Sequence, residues 1–267
     1  MSGAFADINV NLSGHVATVE IDRPPHNFFD RDLIAQIADA YNDLDENPDC
    51  RAIVLASNGR SFCAGANFGT GQDDASGNAE FTEEGFKNTT GLLYREGVRL
   101  FGAKKPVVAA VQGAAIGGGL GLALTADFRV AAPQARFAAN FAKLGIHPGF
   151  GLTVTLPRLI GQQAANTMFL TGRRVPGEQA VELGLADQLV DLDDVRDAAT
   201  ALAAEIAENA PLAILSVRAT MRQGLAEAVA AATDHELAEQ QWLRATEDAE
   251  EGIRAVAERR PGNFNGR

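Results

Sequence analysis

Residues 104–132 read KKPVVAAVQGAAIGGGLGLALTADFRVAA, and this stretch sets the pattern by which the rest of the chain can be read. After Pro106, the run Val107–Val111 has no polar face, which is how a strand buried on both sides reads. Glycines then crowd the turn Gly113–Gly121, and an apolar helix-like stretch leads into a second strand-like run, FRVAA, at 128–132. Strand, glycine turn, helix and strand in that order belong to an α/β protein. In such sheets ligands sit in the loops beyond the C-terminal ends of the strands. The turn at 113–121 is therefore a candidate site as well as a fold signal.

The same order extends outward. AIVLAS at 52–57 is another buried-strand run, followed at once by a second small-residue turn, SFCAGANF, at 61–68. FADINVNL and HVATVEI alternate about Ser13-Gly14 and predict a hairpin over 5–21. Asp30 then opens a helix in which Leu33, Ile34, Ile37 and Tyr41 recur at helical spacing. Residues 81–102 read as a helix with Phe86, Leu92, Leu93, Val98 and Leu100 on its core face. GTGQDDASGNAE at 69–80 has neither period, and a segment of that kind beside a core is expected to be an active-site loop or lid. From residue 149 helices dominate. An α/β core over 1–196 and a helical appendage over 197–267 are the expected divisions.

Composition bounds the rest. A chain of 267 residues suggests one large domain, or one with a small appendage, long enough to need no staple. The formal net charge of −12 disfavours nucleic acid and anionic membranes as partners. An anionic small molecule is expected to bind through local backbone N–H groups rather than through the global field. No apolar stretch approaches the ~20 residues of a bilayer span. Two cysteines, Cys50 and Cys63, make no disulfide framework, and the opening MSGAFADINV lacks a signal-peptide pattern, so the cytoplasm is the expected compartment. The glycines cluster at 59–71, 113–121 and 145–151, where backbone must turn sharply or approach a ligand.

The two turns at 61–68 and 113–121 can each offer an unobstructed N–H to an anionic oxygen, the second with the dipole of the helix it opens. The same residues equally suit tight packing alone. A dinucleotide fingerprint, a phosphate P-loop, a GxSxG elbow and metal-ligand spacing are all missing, so no metal is expected.

SFCAGAN, then KKPVVAAVQGAAIGGGLGLALTADFRVAA, then KLGIHPGFGLTVTLPRLIG, resembles the crotonase superfamily of enoyl-CoA hydratases and isomerases. The resemblance continues through GRRVPGEQAVELGLADQLV to AERRPGNF. It implies a spiral of ββα units, a C-terminal helical trimerisation region, and a homotrimer or dimer of trimers. It also implies an acyl-CoA thioester substrate, with coenzyme A as part of the substrate and no separate cofactor. The thioester oxygen would lie between the backbone N–H groups of Ala66 and Gly118, where losing one donor costs on the order of 3–4 kcal/mol of transition-state stabilisation. Coenzyme A contacts fall on His26, Ala64, Ala66 and Phe68, and Phe264 is expected to reach a neighbouring subunit's coenzyme. Asn67, Ile116, Gly117, Gly121 and Phe141 complete the expected substrate-binding set.

The sequence departs from the family's hydratases at two places. Their first glutamate falls on Gly121 and their second on Phe141, and neither residue transfers a proton. The two-glutamate addition of water is therefore unsupported. Enolate chemistry needing a hole and one proton donor (isomerisation, decarboxylation or C–C cleavage) fits better. A catalytically silent acyl-CoA-binding or partner subunit of the same fold is the alternative. His147 is the nearest replacement acid or base by sequence, and Asp73, Asp74, Glu83 and Glu84 are further candidates on or near the polar loop. Asp127 is read as structural, His15 and His235 as surface residues, and Trp242 as an interface or core anchor. Replacing two polar side chains at 121 and 141 predicts an apolar acyl pocket open to bulkier or branched chains.

Overall fold

β1 (Ile8–Ser13) and β2 (Val16–Ile21) pair antiparallel, with Gly14 at φ +57 supplying the positive φ that a two-residue hairpin turn needs at its first position. α1 (Arg31–Glu46) follows, its first turn closed by the Asp30 carboxylate, which accepts the Leu33 N–H at 2.9 Å. The computed structural model describes residues 5–67 and 83–267, and the side chains of 5–67 and 89–267. Phe68, Asp73, Asp74 and the expected lid over 69–80 lie outside the described residues, as do the side chains of Glu83, Glu84 and Phe86.

β3 (Ala52–Ser57), α2 (Glu83–Phe101), β4 (Val107–Val111), β5 (Ala114–Ile116), α3 (Gly118–Ala123), β6 (Phe128–Ala131) and β7 (Arg136–Ala138) follow in order. After a 3₁₀ turn at Asn140–Leu144 come α4 (Leu152–Ile160), α5 (Gln162–Thr171), β8 (Val175–Pro176), α6 (Gly177–Glu182) and β9 (Gln188–Leu189). Four helices close the chain: α7 (Val195–Ala207), α8 (Pro211–Met221), α9 (Leu225–Leu243) and α10 (Glu247–Ala257).

The strands form two sheets. Six run in the order β1-β2-β3-β4-β6-β9, parallel after the hairpin, and three in the order β5-β7-β8. From β4 onward the chain adds a strand to each sheet in turn, as β4–β5–α3 and then β6–β7 with its 3₁₀ turn. This is the predicted spiral of ββα units.

Why β3, β4 and β6 carry unbroken apolar runs is visible in the packing. Ala52, Val54, Ala56, Val108, Ala110 and Val130 point to α7, whose Val195, Ala199, Ala203 and Ala207 meet them at i, i+4 spacing. Ile53, Leu55, Val107, Ala109 and Val111 point the other way, into the main core with Leu33, Ile34 and Ile37 of α1. The expected boundary between 196 and 197 thus falls inside a helix that covers the sheet. Residue 196 reads as a divide because α7 shares the alanine-rich composition of the helices after it, but small residues here serve close helix–sheet approach. The helices that leave the sheet begin with α8. Among the described residues, no single helix is long and apolar enough to cross a membrane.

Candidate active site

The two glycine turns abut. Cys63 N–H donates to Ala114 O at 2.9 Å and Ile116 N–H donates back to Cys63 O at 3.0 Å, so the CAG turn is laid along β5 like a short parallel bridge. Two glycines make this approach possible. A Cβ at Gly119 would lie 2.0 Å from Cys63 O, and Gly65, at φ +81, would place one 2.6 Å from Ile116 O and 3.7 Å from the Gly118 nitrogen. Gly117 N–H donates to Ala138 O at 2.8 Å. The N–H groups of Ala66 and Gly118 donate to no other group among the described residues. Each is free to donate to an oxygen placed in the cleft.

The turn at 23–28 is fastened beside them. Buried Asn27 donates to Asn58 O at 2.7 Å and Ser61 O at 2.8 Å. Ala64 N–H donates to His26 O at 3.0 Å, and His26 Nδ1 lies 3.2 Å from Ser61 Oγ. His26, Ala64, Ala66, Asn67, Ile116, Gly117, Gly118 and Phe141 accordingly line one cleft of about 1920 Å³. Cys63, beneath it, is no nucleophile: burial pushes its thiol up to about 12.

Two of the sequence-predicted site residues, His147 and Gly121, stand elsewhere. His147 faces α9, its ring edge-on to His235 at 5.8 Å and its Nδ1 2.7 Å from Pro148 O, and it does not line the cleft. Its closeness in sequence to Pro148 placed it near the site, whereas the loop aims the ring outward. Gly121 faces Phe150, whose Cδ1 would be 2.7 Å from a Cβ there, so an aromatic ring occupies the space a side chain at 121 would take. Phe264, expected to reach a neighbouring subunit's coenzyme, stands 43% exposed on the C-terminal tail and outside this chain's own cleft. Asp127 is structural as read, accepting from Val107 N–H at 2.8 Å and pairing with Arg218 and Arg222. Trp242 is 58% exposed and so is no core anchor.

Sequence reasoning missed two groups. One is an aromatic wall. Phe150, held at φ +61, packs on Phe29 at 5.4 Å and on Tyr94 at 6.3 Å, and Phe29 Cζ would lie 2.1 Å from a Cβ at Gly118. The other is charge. Among the described residues, Arg23, Arg31, Arg60, Arg136, Arg174, Arg196, Arg244 and Arg259 line the cleft with Asp30, Asp32, Asp193 and Asp197. A protein of net charge −12 thus gathers eight described guanidinium groups at its cleft, some of them in ion pairs such as Arg23 with Asp7 and Arg196 with Glu20.

Two sheets wound by ββα units, with a cleft over two abutting glycine turns, define the crotonase fold, and comparisons with known proteins agree. The enoyl-CoA hydratase/isomerase family pattern matches residues 11–267. Carnitinyl-CoA dehydratases from Salmonella paratyphi A and Salmonella agona are each 32% identical over 265 residues, covering 97% of this chain and 98% of theirs. The enoyl-CoA hydratase/isomerase structure from Pseudoalteromonas atlantica T6c superposes with a TM-score of 0.82 at 27% identity, over 97% of this chain and 100% of that one. An enoyl-CoA hydratase from Mycobacterium avium subsp. paratuberculosis K-10 gives 0.82 at 26% identity, over 98% and 100%. The chain belongs to the enoyl-CoA hydratase/isomerase family.

Proposed function

We propose that this protein is an enzyme that binds an acyl-CoA thioester and stabilises its enolate between the N–H groups of Ala66 and Gly118. The carrying observation is that these two donors, on turns locked together by the Cys63–Ala115 bridge, have no other partner among the described residues. The arginines of the cleft suit the phosphates of coenzyme A. His26 and Ala64, joined by a hydrogen bond, suit its passage to the thioester.

Dehydration, the activity in the names of the Salmonella relatives, needs a base for the α-proton and an acid for the departing hydroxide. Gly121 and Phe141 supply neither. Phe141, at 8% exposure, adds an apolar wall where the second glutamate would stand. Reactions in which bond cleavage or rearrangement makes the enolate and one donor quenches it therefore fit this cleft best. The pocket would accept bulky or branched acyl chains. A silent binding subunit is the second reading, favoured by the loss of both carboxylates.

Exposed Leu212, Val217 and Met221 on α8, with Leu170 on α5, support a homotrimer or dimer of trimers. Cys50 and Cys63, both free thiols, suit the reducing cytoplasm.

Incubation with a panel of acyl- and enoyl-CoA esters in deuterated water, read by mass spectrometry, tests the proposal. Product formation or α-deuterium incorporation is the expected result. Esters that bind without any mass change would establish the silent subunit instead.

A further inference from the structure

Among the described residues that line the cleft, Tyr94 is the one ionisable side chain that is also buried, at 7% exposure. The arginines and aspartates of the cleft, and His26, are half-buried or exposed. Three contacts fix the tyrosine. Its hydroxyl donates to Gln240 Oε1 at 2.8 Å, and Gln240 Nε2 donates in turn to His147 O at 2.8 Å. Its oxygen sits against Gly149, where a Cβ would lie 1.9 Å away, so only glycine admits it. Its ring meets Phe150 edge-on, at 85°. Gly149, Phe150 and Gln240 line the same cleft, which places the hydroxyl end of Tyr94 at the cleft wall. Through Phe150 and Phe29 that wall is continuous with the turn bearing Gly118.

An enolate held in the cleft needs a proton at its α-carbon, and the two positions that carry acids in the family's hydratases offer none here. Burial, reinforced by the charge of Glu236, holds the Tyr94 phenol above its ordinary range and hence in the form that donates.

We infer that Tyr94 is the proton donor of this site, quenching the enolate on the face that the aromatic wall presents. This inference rests on the function proposed above. The phenol rotates from Gln240 toward the substrate and its O–H bond breaks. The enolate electron pair forms the new C–H bond, and the thioester C=O re-forms between Ala66 and Gly118. The phenolate left behind regains its proton from water, with Arg244 as the nearby compensating charge.

The test compares wild type, Tyr94→Phe and Gln240→Met in deuterated water on the same ester panel, including α-methyl-branched malonyl-type thioesters of coenzyme A. Turnover, ester affinity and the configuration of the new α-C–D bond are read. Wild type should give one configuration. Tyr94→Phe should bind esters within about twofold of wild type, turn over roughly 100-fold more slowly, and give both configurations because solvent now supplies the deuteron. Gln240→Met, which keeps the hydroxyl, should keep the single configuration. Wild-type rate and configuration in Tyr94→Phe would overturn the inference and leave the proposed function standing. Loss of ester binding in Tyr94→Phe, or a mixed configuration from Gln240→Met, would overturn it too, since Tyr94 would then be a structural support. A wild type that labels and converts none of the esters would overturn both.

Discussion

At the scale of single residues, the space beside Gly121 is taken by an aromatic ring rather than by a side chain of its own. Gly121 carries no side chain, and Phe150 fills the space one would take, its ring flanked by Gly97 on the other side, where a Cβ would lie 2.9 Å from Cε2. A glutamate cannot be placed at 121 alone. Gly121→Glu would force a side chain against the Phe150 ring, an overpacking that costs about 1–3 kcal/mol, with a further cost for its desolvated charge. Lower stability with no gain of hydration is the expected result. Phe150→Gly relieves the clash and the positive φ together, so the double variant should lose much less than the sum of the two single losses. Urea denaturation of the four proteins decides it, and strictly additive losses would mean the ring is not the obstacle. Gly121 was legible as a departure from the family pattern. Phe150, nearly thirty positions on, was not, because nothing in a sequence shows which ring fills the space beside a glycine. Tyr94 was hidden for a related reason: it stands outside the core face that the spacing of α2 marks, and its meaning comes from Gly149 and Gln240, which only the fold brings to it.

At the scale of elements, legibility follows the distance over which the cause acts. The hairpin, α1, β3, β4 and the two glycine turns were all readable, since turn residues, caps and periodicity act within a few positions. Where α7 belongs was not, because its partner strands lie far earlier in the chain. The C-terminal tail is a further case of long reach. Glu251 on α10 accepts from Arg260 Nη2 at 3.1 Å and from the Asn263 N–H at 2.9 Å, while Asp248 accepts from the N–H groups of Asn265 and Gly266 at 2.7 and 2.8 Å. Hydrogen bonds from Arg260, then Arg254, hold the Glu251 carboxyl well below the usual carboxylate range. Its folded value lies below the unfolded one of about 4.3. The anchoring is thus fully present above that value and is lost as pH falls toward the folded one. Amide exchange at Asn263–Gly266 should keep constant protection from pH 5.5 to 8. Glu251→Gln should raise opening of the tail at neutral pH to what wild type shows only in strong acid. Unchanged protection in that variant would mean that the carboxylate does not hold the tail.

At the scale of the whole molecule, two charge distributions oppose each other. The net charge of −12 was plain from composition, and it pointed to binding through backbone dipoles alone. What composition does not carry is placement: arginines as far apart in sequence as Arg23 and Arg259 converge on one cleft only after the sheet has been wound. If the proposed function holds, a coenzyme A ester approaching the protein would cross a repulsive outer field and settle in an attractive one, and salt would act on the two in opposite directions. At contact distance the local pairs dominate. Each exposed arginine–phosphate pair contributes up to about 1 kcal/mol at low salt, so screening two or three of them should weaken binding roughly tenfold between 50 mM and 500 mM salt. A thioester of the same acyl group on N-acetylcysteamine, which lacks the nucleotide phosphates, has only the glycine turns and the aromatic wall to hold it. Its affinity should be weaker throughout and nearly flat with salt. Calorimetric titration of the two esters across that range separates the contributions, and parallel salt slopes would show that the arginines take no part in holding the coenzyme.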